Sequence, residues 1–261
     1  MSRKPDAPRS QFAIRCQFRC ERLREVNLRS GKEDKIATTR HEKVSRTIAI
    51  GDIHGCAQAL ASLIEAIQPG PQDEIVTLGD CIDGGPDSRG VIDQLLALSG
   101  RCRLIPIMGN HEQMLLAALE THSERGFWQK FGGVETLASY DGAAGPEDIP
   151  KEHLKFVRSY RPYYETDTHI FVHANYWPNM PMAELSSTVL YWEPLDVDRV
   201  GPHFSGKTVI VGHTPQPDCR MLDLGFLKCI DTDCFRGGCL TAFEVHAGRY
   251  WQANVRGKLL D

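Results

Sequence analysis

The chain of 261 residues is 41% hydrophobic and 25% charged, with a net charge of −4, enough to bury the core of one large domain or of one domain with an appendage. No apolar run approaches the roughly 20 residues that cross a bilayer, and the N-terminus carries no apolar signal region, so the expectation is a cytoplasmic monomer without a membrane partner. Nine cysteines, odd in number and without the spacing of a small disulfide scaffold, read as reduced thiols and argue against disulfides.

Residues 1–45 carry twelve Lys or Arg against six Asp or Glu, a balance of +6, whereas the rest of the chain carries 18 against 28, a balance of −10. Acidic residues interrupt the basic run and no aromatic stacking pattern accompanies it. A solvated, disordered basic arm is therefore preferred to a nucleic-acid or acidic-membrane contact. From residue 46 to 261 the pattern is that of a folded domain. Thr47 to Ile50 predicts a strand and Ala57 to Ile67 a helix; Glu74 to Leu78 a strand and Ser88 to Leu98 a helix; Leu104 to Met108 a strand and Glu112 to Glu120 a helix. Phe127 to Tyr164 reads as two helices separated by a Gly- and Pro-containing loop, Asp141 to Pro150. After it only strands are predicted: His169 to His173, Thr208 to Val211, Phe226 to Ile230 and Leu240 to Val245. Alternating strands and helices followed by strands predict an α/β body with partly parallel strands and a second sheet packed against the first.

Short polar strings punctuate this pattern where strands end. Gly51-Asp52-Ile53-His54-Gly55, Gly79-Asp80-Cys81-Ile82-Asp83-Gly84 and Gly109-Asn110-His111-Glu112 are followed by Phe171-Val172-His173 and Val211-Gly212-His213-Thr214. Each alone is ordinary turn chemistry. Together, at strand ends, they can bring oxygen and imidazole ligands to one point. Asp52 and His54 would hold one ion, Asp80 would bridge to a second, and Asn110, His173 and His213 would complete the ligands of that second ion. Two ions about 3.5–4 Å apart would hold a hydroxide between them and clamp an in-line phosphoryl displacement. His111 is placed to protonate the leaving oxygen, with Asp83 to orient it.

These motifs resemble the calcineurin-like metallophosphoesterases, and among them the bacterial and phage serine/threonine phosphoprotein phosphatases, over about Thr47 to Leu259. The resemblance implies a two-sheet β-sandwich flanked by helices with a dinuclear metal site at the strand ends. It also implies the ligand and acid roles just assigned, with Mn²⁺, or Fe²⁺, Zn²⁺ or Ni²⁺, as the two divalent ions and Asn110 also facing phosphate. Three departures stand out. Asp83-Gly84-Gly85 replaces Asp-Arg-Gly, so an arginine for the substrate phosphate is absent; His173-Ala174-Asn175 replaces His-Ala-Gly; and Tyr191-Trp192-Glu193 stands where Trp-x-Arg is frequent. Arg236, in the turn Asp233 to Gly238, is the candidate substitute cation.

Gly201 to Thr208 fits the P-loop expression but runs into a predicted strand rather than opening a helix, so Lys207 is read as a surface residue. Cysteines 219, 229, 234 and 239 lack the paired spacing of a zinc site and are read as core or turn thiols. The expectation is a phosphoesterase acting on phosphoserine or phosphothreonine in proteins, or on small phosphoesters. The alternatives are hydrolysis of symmetrical dinucleoside tetraphosphates, and a weakly active, metal-loaded module that binds phosphorylated proteins.

Overall fold

The computed structural model describes residues 46–260; the basic arm expected over residues 1–45 lies outside them. In chain order the elements are β1 (Thr47–Ile50), α1 (Ala57–Ile67), β2 (Glu74–Thr77), α2 (Ser88–Ser99), β3 (Arg103–Pro106), α3 (Asn110–Ala118), α4 (His122–Trp128), α5 (Val134–Ser139), α6 (Lys151–Arg158), β4 (Tyr163–Glu165), β5 (His169–Val172), α7 (Ser187–Trp192), β6 (Thr208–Val211), β7 (Leu222–Asp223), β8 (Leu227–Cys229), β9 (Cys239–Glu244), β10 (Tyr250–Asn254) and β11 (Leu259–Leu260). A π-helical turn, Gln129–Gly133, joins α4 to α5.

The strands form two sheets, ordered β11-β10-β9-β1-β2-β3 and β4-β5-β6-β8-β7. β1, β2 and β3 run parallel, as do β5, β6 and β8, and antiparallel strands flank both sets. Strand alternation explains how one short apolar run serves two cores. Ala49, Val76, Ile105, Phe171, Ile210 and Phe243 fill the space between the sheets. Their neighbours Ile48, Ile50 and Ile75 pack with α1 and α2, while Ile170, Val172, Val209 and Val211 pack with α7. Strands buried on both faces become continuous β-branched runs, which is how they read in the sequence.

Three expectations are corrected here. The second half is not strands alone, because α7 packs on the outer face of the second sheet. Nor does it build only a second sheet: β9 returns to pair antiparallel with β1, carrying β10 and β11 into the first. Short pairing runs of two or three residues, such as β4, β7 and β11, carry too little periodicity to be found by pattern. The reduced-thiol reading also fails at one place, since Cys219 and Cys239 are joined as a disulfide. Cys56, Cys81, Cys102, Cys229 and Cys234 are free and buried. Among the described residues no helix is long and apolar enough to cross a membrane.

Candidate metal centre

The parallel strands deliver their C-terminal ends to one edge of the sandwich, and every predicted site motif lies there. Asp52 and His54 follow β1, Asp80 and Asp83 follow β2, Asn110 and His111 open α3 beyond β3, His173 follows β5 and His213 follows β6. Close approach of these loops depends on glycine. A side chain at Gly79, whose φ is +101°, would come within 2.8 Å of Gly109 and of the His173 ring. Glu112, fully buried, ties the same loops by accepting the amides of Asp80, Cys81 and Gly109 at 2.9, 2.7 and 3.0 Å. Nothing in the local sequence distinguishes Glu112 from an ordinary helix-opening acid. His54, Asp80, Asp83 and His213 all have positive φ without being glycine, a conformation costing roughly 1–3 kcal/mol each that persists where surrounding bonds enforce it.

Three imidazoles share one design. His54 Nδ1 donates toward the carbonyls of Ile82 and Asp83, both at 3.2 Å; His173 Nδ1 donates to Leu78 O at 2.7 Å; and His213 Nε2 donates to Trp192 O at 3.1 Å. An outer nitrogen committed to a carbonyl leaves the inner nitrogen a bare lone pair. Those inner nitrogens converge. His173 Nε2 stands 3.1 Å from His213 Nδ1, 2.9 Å from Asn110 Oδ1 and 3.5 Å from Asp80 Oδ2, and His54 Nε2 stands 3.6 Å from the same Asp80 oxygen. Acceptors therefore face acceptors, an arrangement that a cation satisfies and that protons alone do not. Burial, joined by neighbouring imidazoles, pushes His54 and His173 down to about 4, and burial lowers His213, so these rings are neutral donors of lone pairs. Against the cost of burial, the surrounding imidazoles hold Asp80 well below the usual carboxylate range.

His54, Asp80 and His111 have ligand atoms within 4.8 Å of one another, as do Asp80, His173 and His213. Asp80 belongs to both sets, the position expected of a bridge. Asp52 lines the same cleft but belongs to neither set; its carboxylate accepts the His213 amide at 3.0 and 3.2 Å. The donor set, neutral imidazoles with carboxylate and amide oxygens, fits Mn, Fe or Zn.

His111 is built differently. Its Nδ1 meets a carboxylate, Asp83 Oδ2, at 2.9 Å, and its Nε2 points toward Asp80 Oδ2 at 3.9 Å. Burial opposes its charge, yet Asp80 and Asp83 together push it up to about 9. Asp83, with no exposed surface, also receives Trp128 Nε1 at 2.9 and 3.1 Å and Thr136 Oγ1 at 2.5 Å. Their environments push these like groups apart: His111 is held protonated, whereas His54, His173 and His213 are held neutral. Trp128 and Thr136 were not anticipated, because nothing in their local sequence distinguishes them from core residues.

The cleft above these groups, about 650 Å³, is also lined by Gln129, Lys130, Phe131, Val134, Phe235 and Arg236. The space beside Gly84, where the resemblance leads one to expect an arginine, is filled by Phe235, whose ring lies 2.8 Å from where a Cβ would be. Arg236 does reach the cleft wall, its guanidinium over the Phe235 ring at 4.8 Å and 3.9 Å from Asp233. Lys130, overlooked in the sequence, supplies a second cation. Glu193 is bonded to Asn175 and stays outside the lining. Lys207 pairs with Glu165 just before β6, and no helix follows Gly201 to Thr208, as expected of a false P-loop.

A two-sheet sandwich with clustered His, Asp and Asn side chains at its strand ends is the architecture of a metal-dependent phosphoesterase. Residues 45–220 match the family model for calcineurin-like phosphoesterases, and the chain belongs to that family. It is a metallophosphoesterase, a hydrolase of phosphoesters whose family implies divalent metal ions. It is 31% identical over 204 residues to serine/threonine-protein phosphatase 1 of Salmonella typhimurium, covering 75% of this chain and 90% of that one. The symmetrical bis(5'-nucleosyl)-tetraphosphatase of a Janthinobacterium species is 31% identical over 139 residues, 53% of this chain and 46% of that one. Among solved structures, a cold-active protein-tyrosine phosphatase of a Shewanella species has the same fold, with a TM-score of 0.60, 15% identity, and coverage of 82% of this chain and 79% of that one.

Proposed function

We propose that this protein hydrolyses phosphomonoesters whose leaving group is a poor one, above all phosphoserine and phosphothreonine in proteins. The observation that carries this reading is the His111–Asp83 pair, buttressed by Trp128 and Thr136. An alkoxide leaves only if it is protonated as it departs, and a buried imidazole held protonated by a carboxylate is suited to that step. A dinucleoside polyphosphate releases a phosphate group, which needs such help far less.

His54, Asp80, Asn110, His173 and His213, with Asp52 beside them, would hold two divalent ions, Mn²⁺ the first choice. When bound, the ions would supply charge for the phosphoryl oxygens and acidify a water. The chain's own part is distinct. Asn110, Lys130 and Arg236 face the phosphate and offset its charge, His111 gives a proton from Nε2 to the departing oxygen, and Asp83 stabilises the imidazolium before the transfer.

A second reading, dinucleoside tetraphosphate hydrolysis, is favoured by the tetraphosphatase relatives and by a cleft wider than a phosphate, bordered by the exposed Phe131. Initial rates with Mn²⁺ on a phosphoserine peptide, a phosphothreonine peptide and diadenosine tetraphosphate separate the two. A clear preference for the peptides is expected. Turnover of the tetraphosphate alone would replace the first reading with the second, and turnover of none would favour a binding module.

A further inference from the structure

Asp231 follows β8 at the same edge of the sandwich, on a strand end that contributed no motif to the sequence reading. Its backbone lies against that of the first motif: a side chain on Gly51 would come within 2.3 Å of Ile230 O and 3.5 Å of Asp231 N. Asp52 and Asp231 thus leave adjoining chain segments, and both line the metal cleft together with His54 and Asp80. Asp231 is only 3% exposed. One oxygen, Oδ1, accepts the Asp233 amide at 3.0 Å. Among the described residues the other has no hydrogen-bond partner. The nearest cation of its turn, Arg236, is mostly exposed and spread over Phe235 and Asp233. A shielded carboxylate whose second oxygen opens on the cleft, beside two further carboxylates and with no buried cation among the described residues, is unfavourable as an anion unless a positive charge is held there.

We propose that Asp231 is an additional oxygen donor to the ion on the Asp52–His54 side of the centre. This rests on the metal-centre reading above and extends it. It assigns a role to the one buried acidic side chain of the cleft that neither set of converging ligand atoms includes, apart from Asp52 itself. On this assignment the sandwich closes the first ion between its two sheets, with Asp52 and His54 from β1 and Asp231 from β8.

Asp231→Asn tests it, because an asparagine Oδ1 can still accept the Asp233 amide while the charge is lost. Calorimetric titration of chelator-treated protein with Mn²⁺, paired with melting curves with and without Mn²⁺, gives readouts independent of turnover. The expected result is weakening of one of the two binding events by about 10–100-fold with the other unchanged. The melting temperature without metal should be equal to or above that of the unsubstituted protein, and the rise caused by Mn²⁺ should be smaller. Two unchanged affinities would overturn the assignment. So would a fall in melting temperature equal with and without metal, which would mark Asp231 as a turn-forming residue only. An unsubstituted protein that binds no Mn²⁺ would instead overturn the metal centre, and this assignment with it.

Discussion

At the residue scale, the centre separates chemically alike groups by their second contacts. His54, His173 and His213 are turned outward to carbonyls and His111 to a carboxylate, so the first three offer lone pairs and the last a proton. His111→Asn is therefore expected to slow phosphoserine or phenyl phosphate turnover by roughly 10²–10⁴-fold and p-nitrophenyl phosphate turnover distinctly less, since p-nitrophenolate leaves without help. Equal losses on both would show an electrostatic or structural role. Because Asp80 and Asp83 raise His111 from 6.5 to about 9, the acid form is present below that value and lost above it. Turnover of the poor leaving group should fall as pH rises through about 9, and the substitution should abolish that limb of the profile. The sign for stability is the same: the imidazolium's contribution is complete below about pH 6.5 and lost as pH passes about 9. Arg236 tests the substitute for the missing arginine. Arg236→Ala should lower kcat/KM by roughly ten- to a hundredfold, the worth of a charge-assisted hydrogen bond, with metal content unchanged; unaltered kinetics would leave Lys130 as the cation that matters.

At the scale of elements, the helical middle of the chain exists to hold Asp83. α4 ends in Trp128, α5 carries Thr136, and the π-helical turn between them brings Gly132, at φ +107°, so close that a side chain there would lie 2.6 Å from Gly84 N. Trp128→Phe keeps an apolar ring but removes the indole N–H from Asp83. It should reduce phosphoserine turnover by roughly tenfold, with less effect on p-nitrophenyl phosphate, the scale of one hydrogen bond to a charged group. A loss independent of leaving group would mean that Trp128 serves packing alone. This contact was invisible in the sequence because it joins residues 45 positions apart through a side chain that reads as core. The strand ends were legible for the opposite reason. A parallel strand buried on both faces is an unbroken β-branched run, and a polar string at its end breaks that pattern sharply. Asp231 escaped although its strand was predicted, as Phe226 to Ile230 around the observed Leu227–Cys229, because its Asp-Thr-Asp string looks like a turn. The disulfide escaped because Cys219 and Cys239 meet only through the return of β9 to the first sheet.

At the scale of the whole molecule, two sheets of different connectivity are stacked so that six parallel strands end at one edge. The function follows from that edge, since each strand gives one or two short side chains and the sandwich core fixes their spacing. Among the described residues, those lining the cleft fall between Asp52 and Arg236. Removal of residues 1–45 is accordingly expected to leave small-substrate turnover and melting temperature intact, and a large fall in either would show that the arm belongs to the domain. The central claim is that the edge is a two-metal phosphoesterase site. It is tested most directly by titrating Mn²⁺ into chelator-treated protein while following phosphoserine-peptide hydrolysis in the same samples. Two ions bound per chain, with turnover rising only as both sites fill, is the predicted result; fewer than two ions bound, or turnover indifferent to the chelator, would contradict it.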